Sequence, residues 1–329
     1  MPTTTSGQIS VTPVRILTSA PLEDIAAALR DARYTGEPGT RGWGSVRDDT
    51  DQLIGQVLRN RPTGGRPEPV LESEDYPDQV RARLYWDEPD RTLERVFGVE
   101  ADSRVTARLR AADITFAEGV EDGEVLGLLG ERNDTRLRAH VIPAVEDLLQ
   151  SVDDSAAVMR DSNDLEFGDD DFFRWILYRA THDPQLNDDL EVVNVRSMSN
   201  QDMAYRPTNM SRGVEMDRPE LLALLAGTLN RFGPAKFVVW SEALSLRASL
   251  EVTASGQFSI YRGQSEYDLA LDEEMTHEEE GLKLLQDTAF ELLPELKRVH
   301  SADSEWRRTN RQAFTQEARD LLRDILARL

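Results

Sequence analysis

The sequence predicts an α+β protein of two domains, each an antiparallel, meander-like sheet packed by helices, with an amphipathic helical hairpin at its C-terminal end. Apolar residues recur with period two in some stretches and at steps of three and four in others, without the strict strand-helix alternation of a doubly wound sheet. A run of acids with little to bury crosses the middle of the chain, and 329 residues exceed the usual span of one hydrophobic core.

Residues 1–13 are rich in Thr and Ser and are expected to be disordered, and 14–152 form the first domain. Val14–Thr18 reads as a strand, and Ser19, Pro21, Glu23 and Asp24 start a helix whose apolar face holds Leu22, Ile25, Ala26 and Leu29. The glycine-rich stretch 36–44 interrupts the chain. A second helix with Leu53, Ile54, Val57 and Leu58 follows Asp48–Asp51, and 61–79 is an exposed connection rich in Pro and Gly. Val80, Ala82, Leu84 and Trp86 then alternate with Arg81, Arg83 and Tyr85, as in a half-buried strand, and shorter alternations recur at Val105–Leu109 and Ile114–Phe116. Val125–Arg132 and Thr135–Ile142 read as a hairpin turned at Asn133-Asp134, after which Pro143 opens a helix with Val145, Leu148 and Leu149.

Residues 153–171 carry eight acids and read as an acidic linker to a second domain over 172–329. Phe172, Phe173, Trp175, Ile176 and Tyr178 give the next helix a heavy aromatic face, and Leu190–Val195 is a strand. The segment 197–216 shows no regular element. Asp217, Pro219 and Glu220 start an apolar helix (Leu221, Leu222, Leu224, Leu225, Leu229) that stops at Gly233-Pro234. Lys236–Trp240, Leu244–Val252 and Phe258–Tyr261 read as an antiparallel meander turned near Ser255-Gly256. Residues 277–329 form the helical hairpin, broken at 301–303 and kinked at Pro294.

Charge bounds the environment. The chain has 61 acids against 38 bases, a net charge of -23, and only three of the bases are lysines. A GC-rich genome explains arginine over lysine but not the acidic excess. A salt-rich cytoplasm explains the excess, because at about 1 M salt the Debye length is ~3 Å and the self-repulsion is screened. With no cysteine, thiolate metal sites, disulfides and thiol nucleophiles are excluded. No basic and apolar leader opens the sequence and no stretch is apolar for ~18 residues, so the expected location is cytoplasmic, with no membrane partner.

The motifs of common chemistry do not appear. The glycines of 36–44 lack a following Lys-Ser/Thr, and no serine sits in a GxSxG elbow. The four histidines (His140, His182, His277, His300) show no ligand spacing. Asp161 and Asn163 match the first two ligands of a calcium loop, but Leu165 and Glu166 stand where an oxygen ligand and a glycine are needed. Glu295-Leu296-Lys297 matches a nuclease tripeptide but lies in a helical pattern, and Lys236 is the one lysine near the meander. No cofactor, metal ligand set or catalytic residue is read from the sequence.

The remaining signal is a local relief of acidity. Residues 201–250 and 301–329 each hold five acids and six bases, against the trend of the whole chain. The first includes much of the segment 197–216, with Met198, Met203, Met210 and Met216 beside Tyr205, Arg206, Asn209 and Arg212, a composition suited to adaptable contact. The second carries Arg307, Arg308, Arg311, Arg319 and Arg323 on the last helix, interleaved with Glu317, Asp320 and Asp324. Arg41 and Trp43 offer a cation and a stacking ring in the glycine-rich loop. The expected function is a non-catalytic protein acting through contacts with a protein partner or with itself. A nucleic-acid-associated factor using the arginines, and a carboxylate-based metal-dependent hydrolase, are the alternatives.

Overall fold

The computed structural model describes residues 6–37, 39–46, 66–98, 101, 103–201, 207–211, 213–227, 230–268 and 275–327. The chain divides into two compact units, Met1–Asp164 and Leu165–Leu329. Helices and antiparallel sheet are mixed in both, the α+β class that the sequence predicts.

In the first unit, β1 (Gln8–Leu17), β2 (Gly42–Gly44), β3 (Gln79–Pro89), β4 (Ala107–Glu118) and β5 (Glu124–Leu129) form an antiparallel sheet in the order β2-β3-β4-β5-β1, and β6 (Ala157–Met159) also pairs with β1. The first strand begins at Gln8, so the second half of the stretch expected to be disordered is strand, and Ile9, Ser10, Val11 and Thr12 are all buried. The helix α1 (Leu22–Asp31) and a long helix lie on one face of the sheet. That long helix runs through α4 (Asp134–Arg136), a wide π-type turn over Leu137–Val141, and α5 (Ile142–Gln150). Two short helices, α2 (Arg91–Phe97) and α3 (Ser103–Thr106), connect β3 to β4, and Asp90 caps α2 by accepting hydrogen bonds from the Thr92 and Leu93 amides. Val14, Ile16, Val80, Ala82, Leu84, Ile114 and Phe116 pack against Ile25, Leu29, Val141, Val145 and Leu148 to make the core.

The hairpin expected at Asn133-Asp134 is not formed. The Asn133 carboxamide accepts a hydrogen bond from the Arg136 amide at 3.0 Å, which makes it a helix N-cap. Leu137, Val141 and Leu148 then face the core at helical spacing. The hairpin lies one strand earlier, where β4 and β5 pair across the turn containing Gly119 and Gly123. The two alternations read at Val105–Leu109 and Ile114–Phe116 fall largely on the single strand β4, which carries apolar residues on both faces: Leu109 and Ala111 on one, Ile114 and Phe116 on the other.

The second face of β3 is not solvated as alternation suggests. Arg81, Arg83, Tyr85, Asp113 and Thr115 are all buried. Arg83 and Asp113 sit opposite each other in register and form a two-pronged ion pair (2.6 and 3.2 Å), which makes burial of both charges tolerable. The Tyr34 and Tyr85 rings stack at 5.0 Å on the same face. The helix expected after Asp48 lies outside the described residues.

In the second unit, α6 (Asp171–His182) precedes β7 (Leu190–Gln201), β8 (Pro207–Met210), α7 (Pro219–Ala226), β9 (Arg231–Ser241), β10 (Leu246–Val252), β11 (Phe258–Tyr261) and β12 (Glu266–Tyr267). The sheet order is β11-β10-β9-β7-β8, with β12 also on β10, and every pair is antiparallel. The meander β9-β10-β11 stands where the sequence places it. The segment 197–216 is largely a hairpin, since β7 runs on to Gln201 and pairs with β8. Met198 and Met210 are buried there as core residues and are not available as an adaptable surface.

Gly233-Pro234 does not end the preceding helix, which stops at Ala226; it lies inside β9, where the register with β7 shifts between Met198 and Asn200. Such an irregularity accommodates a residue with no amide hydrogen. Gly233 has φ +103°, and a Cβ there would meet the Phe173 ring at 2.3 Å, so only glycine fits.

Seven consecutive residues of α6, Asp171 to Leu177, are buried, so this helix is enclosed on all sides, in keeping with its dense aromatic sequence. The Phe172 ring meets Phe167, Phe173, Trp175, Phe237 and His300. The C-terminal helices are α8 (His277–Gln286), opened by a Thr276/Glu279 capping box, α9 (Leu293–Ala302) and α10 (Arg311–Leu326). Wide turns over Asp287–Leu292 and Trp306–Asn310 lead into α9 and α10, and α10 packs chiefly on α7. Among the described residues no helix is long and apolar enough to cross a membrane.

Candidate functional site

The strongest candidate lies on the second unit, where the start of α6 meets the wide turn before α10. The acids preceding α6 supply its framework. The Asp170 carboxylate accepts the Phe232 amide at 2.9 Å, and Asp169 accepts the Asp171 amide at 2.8 Å. The Asp171 carboxylate accepts the indole N–H of the fully buried Trp306 at 2.8 Å, and faces Arg311 Nε at 2.9 Å and His300 Nε2 at 3.6 Å. Burial opposes charge on Asp171, but the hydrogen bonds of His300 and Trp306 and the charge of Arg311 outweigh it and hold the carboxyl below its ordinary range. Asp303 completes the frame, accepting from the Trp175 indole (2.9 Å) and capping the next turn at the Trp306 amide (2.8 Å). That cap is the break the sequence shows at 301–303.

On this frame the helix presents two adjacent rows at four-residue spacing, Arg307-Arg311-Thr315-Arg319 and Arg308-Gln312-Gln316. With Arg174 of α6, Thr309 and Ala313 they line a groove of about 670 Å³. Ordinary surface pairing with the interleaved acids does not account for these arginines. Glu317 is engaged with His182 at 2.9 Å, and Asp320 with Gln316 (2.9 Å) and Arg323 (3.0 Å). Among the described residues Arg307 has neither hydrogen bond nor ion pair, Arg308 reaches only the carbonyl and hydroxyl of Ser304, and Arg319 donates to the Ala226 carbonyl at 3.2 Å. Arg174 is buried over the Phe232 ring at 4.5 Å and donates to the Asn230 carbonyl at 2.9 Å. Burial pulls its guanidinium down from its ordinary value, with Asp170 opposing. An anion in the groove meets three guanidinium groups, those of Arg307, Arg308 and Arg319, that have no carboxylate partner among the described residues.

The structure therefore brings together Arg307, Arg308 and Arg311 and adds Arg174 and Arg319. The four-residue rows were a signal for Arg319; nothing in the sequence signals Arg174, which reaches the groove from α6. The other candidates do not join them. Trp43 is buried in the first unit's core, its ring 6.3 Å from Phe116, so it offers no face for stacking. Arg41 is exposed and pairs with Asp147. Asn209 is exposed on β8, its amide oxygen accepting the Ser199 hydroxyl at 2.7 Å. Tyr205, Arg206 and Arg212, with Met203, lie outside the described residues. No three His, Asp or Glu side chains among the described residues converge as metal ligands.

A scan against protein-family models finds no match to this chain, and a search of curated proteins finds no relative.

Proposed function

We propose that the protein is a nucleic-acid-binding factor that holds a sugar-phosphate backbone in the arginine groove of its second unit and performs no chemistry on it. The observation that carries this is that Arg307, Arg308 and Arg319, among the described residues, have no carboxylate partner in a chain of net charge -23. Guanidinium, hydroxyl and carboxamide groups are the donors that phosphate contacts use, and among the described residues the lining holds no aromatic ring on which a base stacks. The chemistry therefore favours backbone binding with little sequence preference. At long range the acidic surface repels a polyanion. A salt-rich interior reduces that repulsion, because the Debye length falls to ~8 Å at 0.15 M and ~3 Å at 1 M.

The test is fluorescence anisotropy with labelled single- and double-stranded DNA and RNA of about 20 nucleotides. The substitutions Arg307→Gln, Arg308→Gln and Arg319→Gln together are expected to weaken binding at least about tenfold, whereas Arg323→Gln, whose partner is Asp320, leaves it unchanged. Absence of saturable binding by the native chain, or equal affinity of the triple variant, refutes the proposal. Capture of poly-glutamate in place of nucleic acid redirects it to an acidic protein partner.

Contact with a protein, the first reading of the sequence, is favoured at a different place. Val96 and Phe97 of α2 are 69% and 52% exposed, and no residue of that helix is buried. Sedimentation of the native chain against Val96→Ser/Phe97→Ser tests whether this surface supports self-association, which predicts a smaller species for the variant.

A further inference from the structure

We infer that the nucleic acid held by the arginine groove is a single strand, laid along the last helix with about one phosphate to each turn. The inference rests on the reading of that groove as a nucleic-acid site and goes on to name the form of the ligand. The lining runs from Arg307 in the wide turn to Arg319 in α10, about 18 Å of helix. A volume of about 670 Å³ is that of a pocket for one drug-sized molecule, and drawn out over this length it is a narrow furrow. Such a furrow takes one sugar-phosphate chain along its floor. A duplex, with grooves of about 6 and 12 Å between its strands, lies only across the mouth.

The spacing of the donors is the second observation. Arg307 and Arg308, then Gln312, then Gln316, then Arg319 stand at successive levels about 6 Å apart along the helix, comparable to the separation of neighbouring phosphates on one extended strand. Each level keeps a donor to offer. Among the described residues the exposed Gln312 has no hydrogen bond, Gln316 gives one amide hydrogen to Asp320 and retains the other, and Arg319 spends Nε on the Ala226 carbonyl and retains its terminal nitrogens. Thr315 takes no part as a donor, because its hydroxyl donates to the Arg311 carbonyl at 3.1 Å. In a duplex each strand winds about the axis as it advances about 3.4 Å per nucleotide, so its phosphates do not follow this line.

Fluorescence anisotropy of the full chain with labelled oligothymidylates and oligouridylates of about 2, 4, 6 and 12 nucleotides, and with a duplex of about 12 base pairs, tests this at one fixed salt concentration. Affinity is expected to rise steeply up to about 4 nucleotides and little beyond, and the longest single strand is expected to bind at least about tenfold more tightly than the duplex. The two single-strand series distinguish RNA from DNA as its source. Gln312→Glu sets a carboxylate at the second level of the furrow, on an exposed position where folding is not at risk, and is expected to weaken single-strand binding about tenfold. No binding of any oligonucleotide refutes the reading of the groove itself, and the inference falls with it. Binding in which the duplex equals or exceeds the single strand, a steep gain that continues beyond about 8 nucleotides, or an unchanged affinity in Gln312→Glu overturns this inference alone.

Discussion

Replacing Asp171 tests the framework of the arginine groove. Its side chain is 11% exposed and accepts the indole of Trp306, a residue wholly out of solvent, at 2.8 Å. A hydrogen bond to a charged acceptor contributes about 1.5–3 kcal/mol. The Arg311 pair adds less, about 0–1 kcal/mol, because that arginine is 55% exposed and solvent screens it. Asp171→Ala removes both and leaves a buried indole donor unsatisfied, so a loss of about 2–4 kcal/mol is expected. Asp171→Asn keeps an acceptor of the same shape and is expected to lose about half of that. Urea unfolding followed by tryptophan fluorescence measures both. The pH dependence has a definite sign. The folded carboxyl titrates below its unfolded value, so its contribution is complete above the ordinary carboxylate range and fades as pH falls through that range to the folded pKa. The gap between the native chain and Asp171→Asn is therefore expected to narrow below about pH 4. Two variants within about 0.5 kcal/mol of the native chain at neutral pH, or a gap that widens in acid, refute the reasoning.

Three further outcomes follow from particular residues. Asn133→Ala removes an N-cap and is expected to cost about 1 kcal/mol in chemical unfolding; a neutral result is inconsistent with the capped helix described above. Asn200 is 2% exposed and neither polar atom of its side chain has a partner, so Asn200→Val is expected to stabilise the chain by about 1 kcal/mol, and a clear loss contradicts that account. The acidic surface predicts a higher melting temperature in molar KCl than in dilute buffer, and equal or lower melting argues against adaptation to salt.

What the sequence makes legible here is what local pattern determines. The period-two run of β3, the meander β9-β10-β11, the enclosed aromatic helix α6 and the cap-like break before the last helix are all local. Asn133-Asp134 was ambiguous because the same residues serve a tight turn or a helix N-cap, and Leu137 and Val141 fit both periods. The burial of Arg83 and Asp113 was hidden because the pair is 30 positions apart and meets only through strand register. The groove was half legible. Arg307, Arg308 and Arg311 stand out by composition, but the acids beside them suggested mutual neutralisation. Only the fold shows that Glu317 is taken by His182, and that Asp171, 135 positions before Trp306, holds the turn in place.

The central claim, that unpaired arginines grip phosphates, is tested most directly by the salt dependence of nucleic-acid affinity. If Arg307, Arg308 and Arg319 each neutralise one phosphate, log K against log salt has a slope of about -2 on single strands and about -3 on duplex DNA. Each Arg→Gln change then reduces that slope by about one. A slope that stays the same when all three arginines are replaced, or affinity indifferent to salt in the native chain, contradicts the claim.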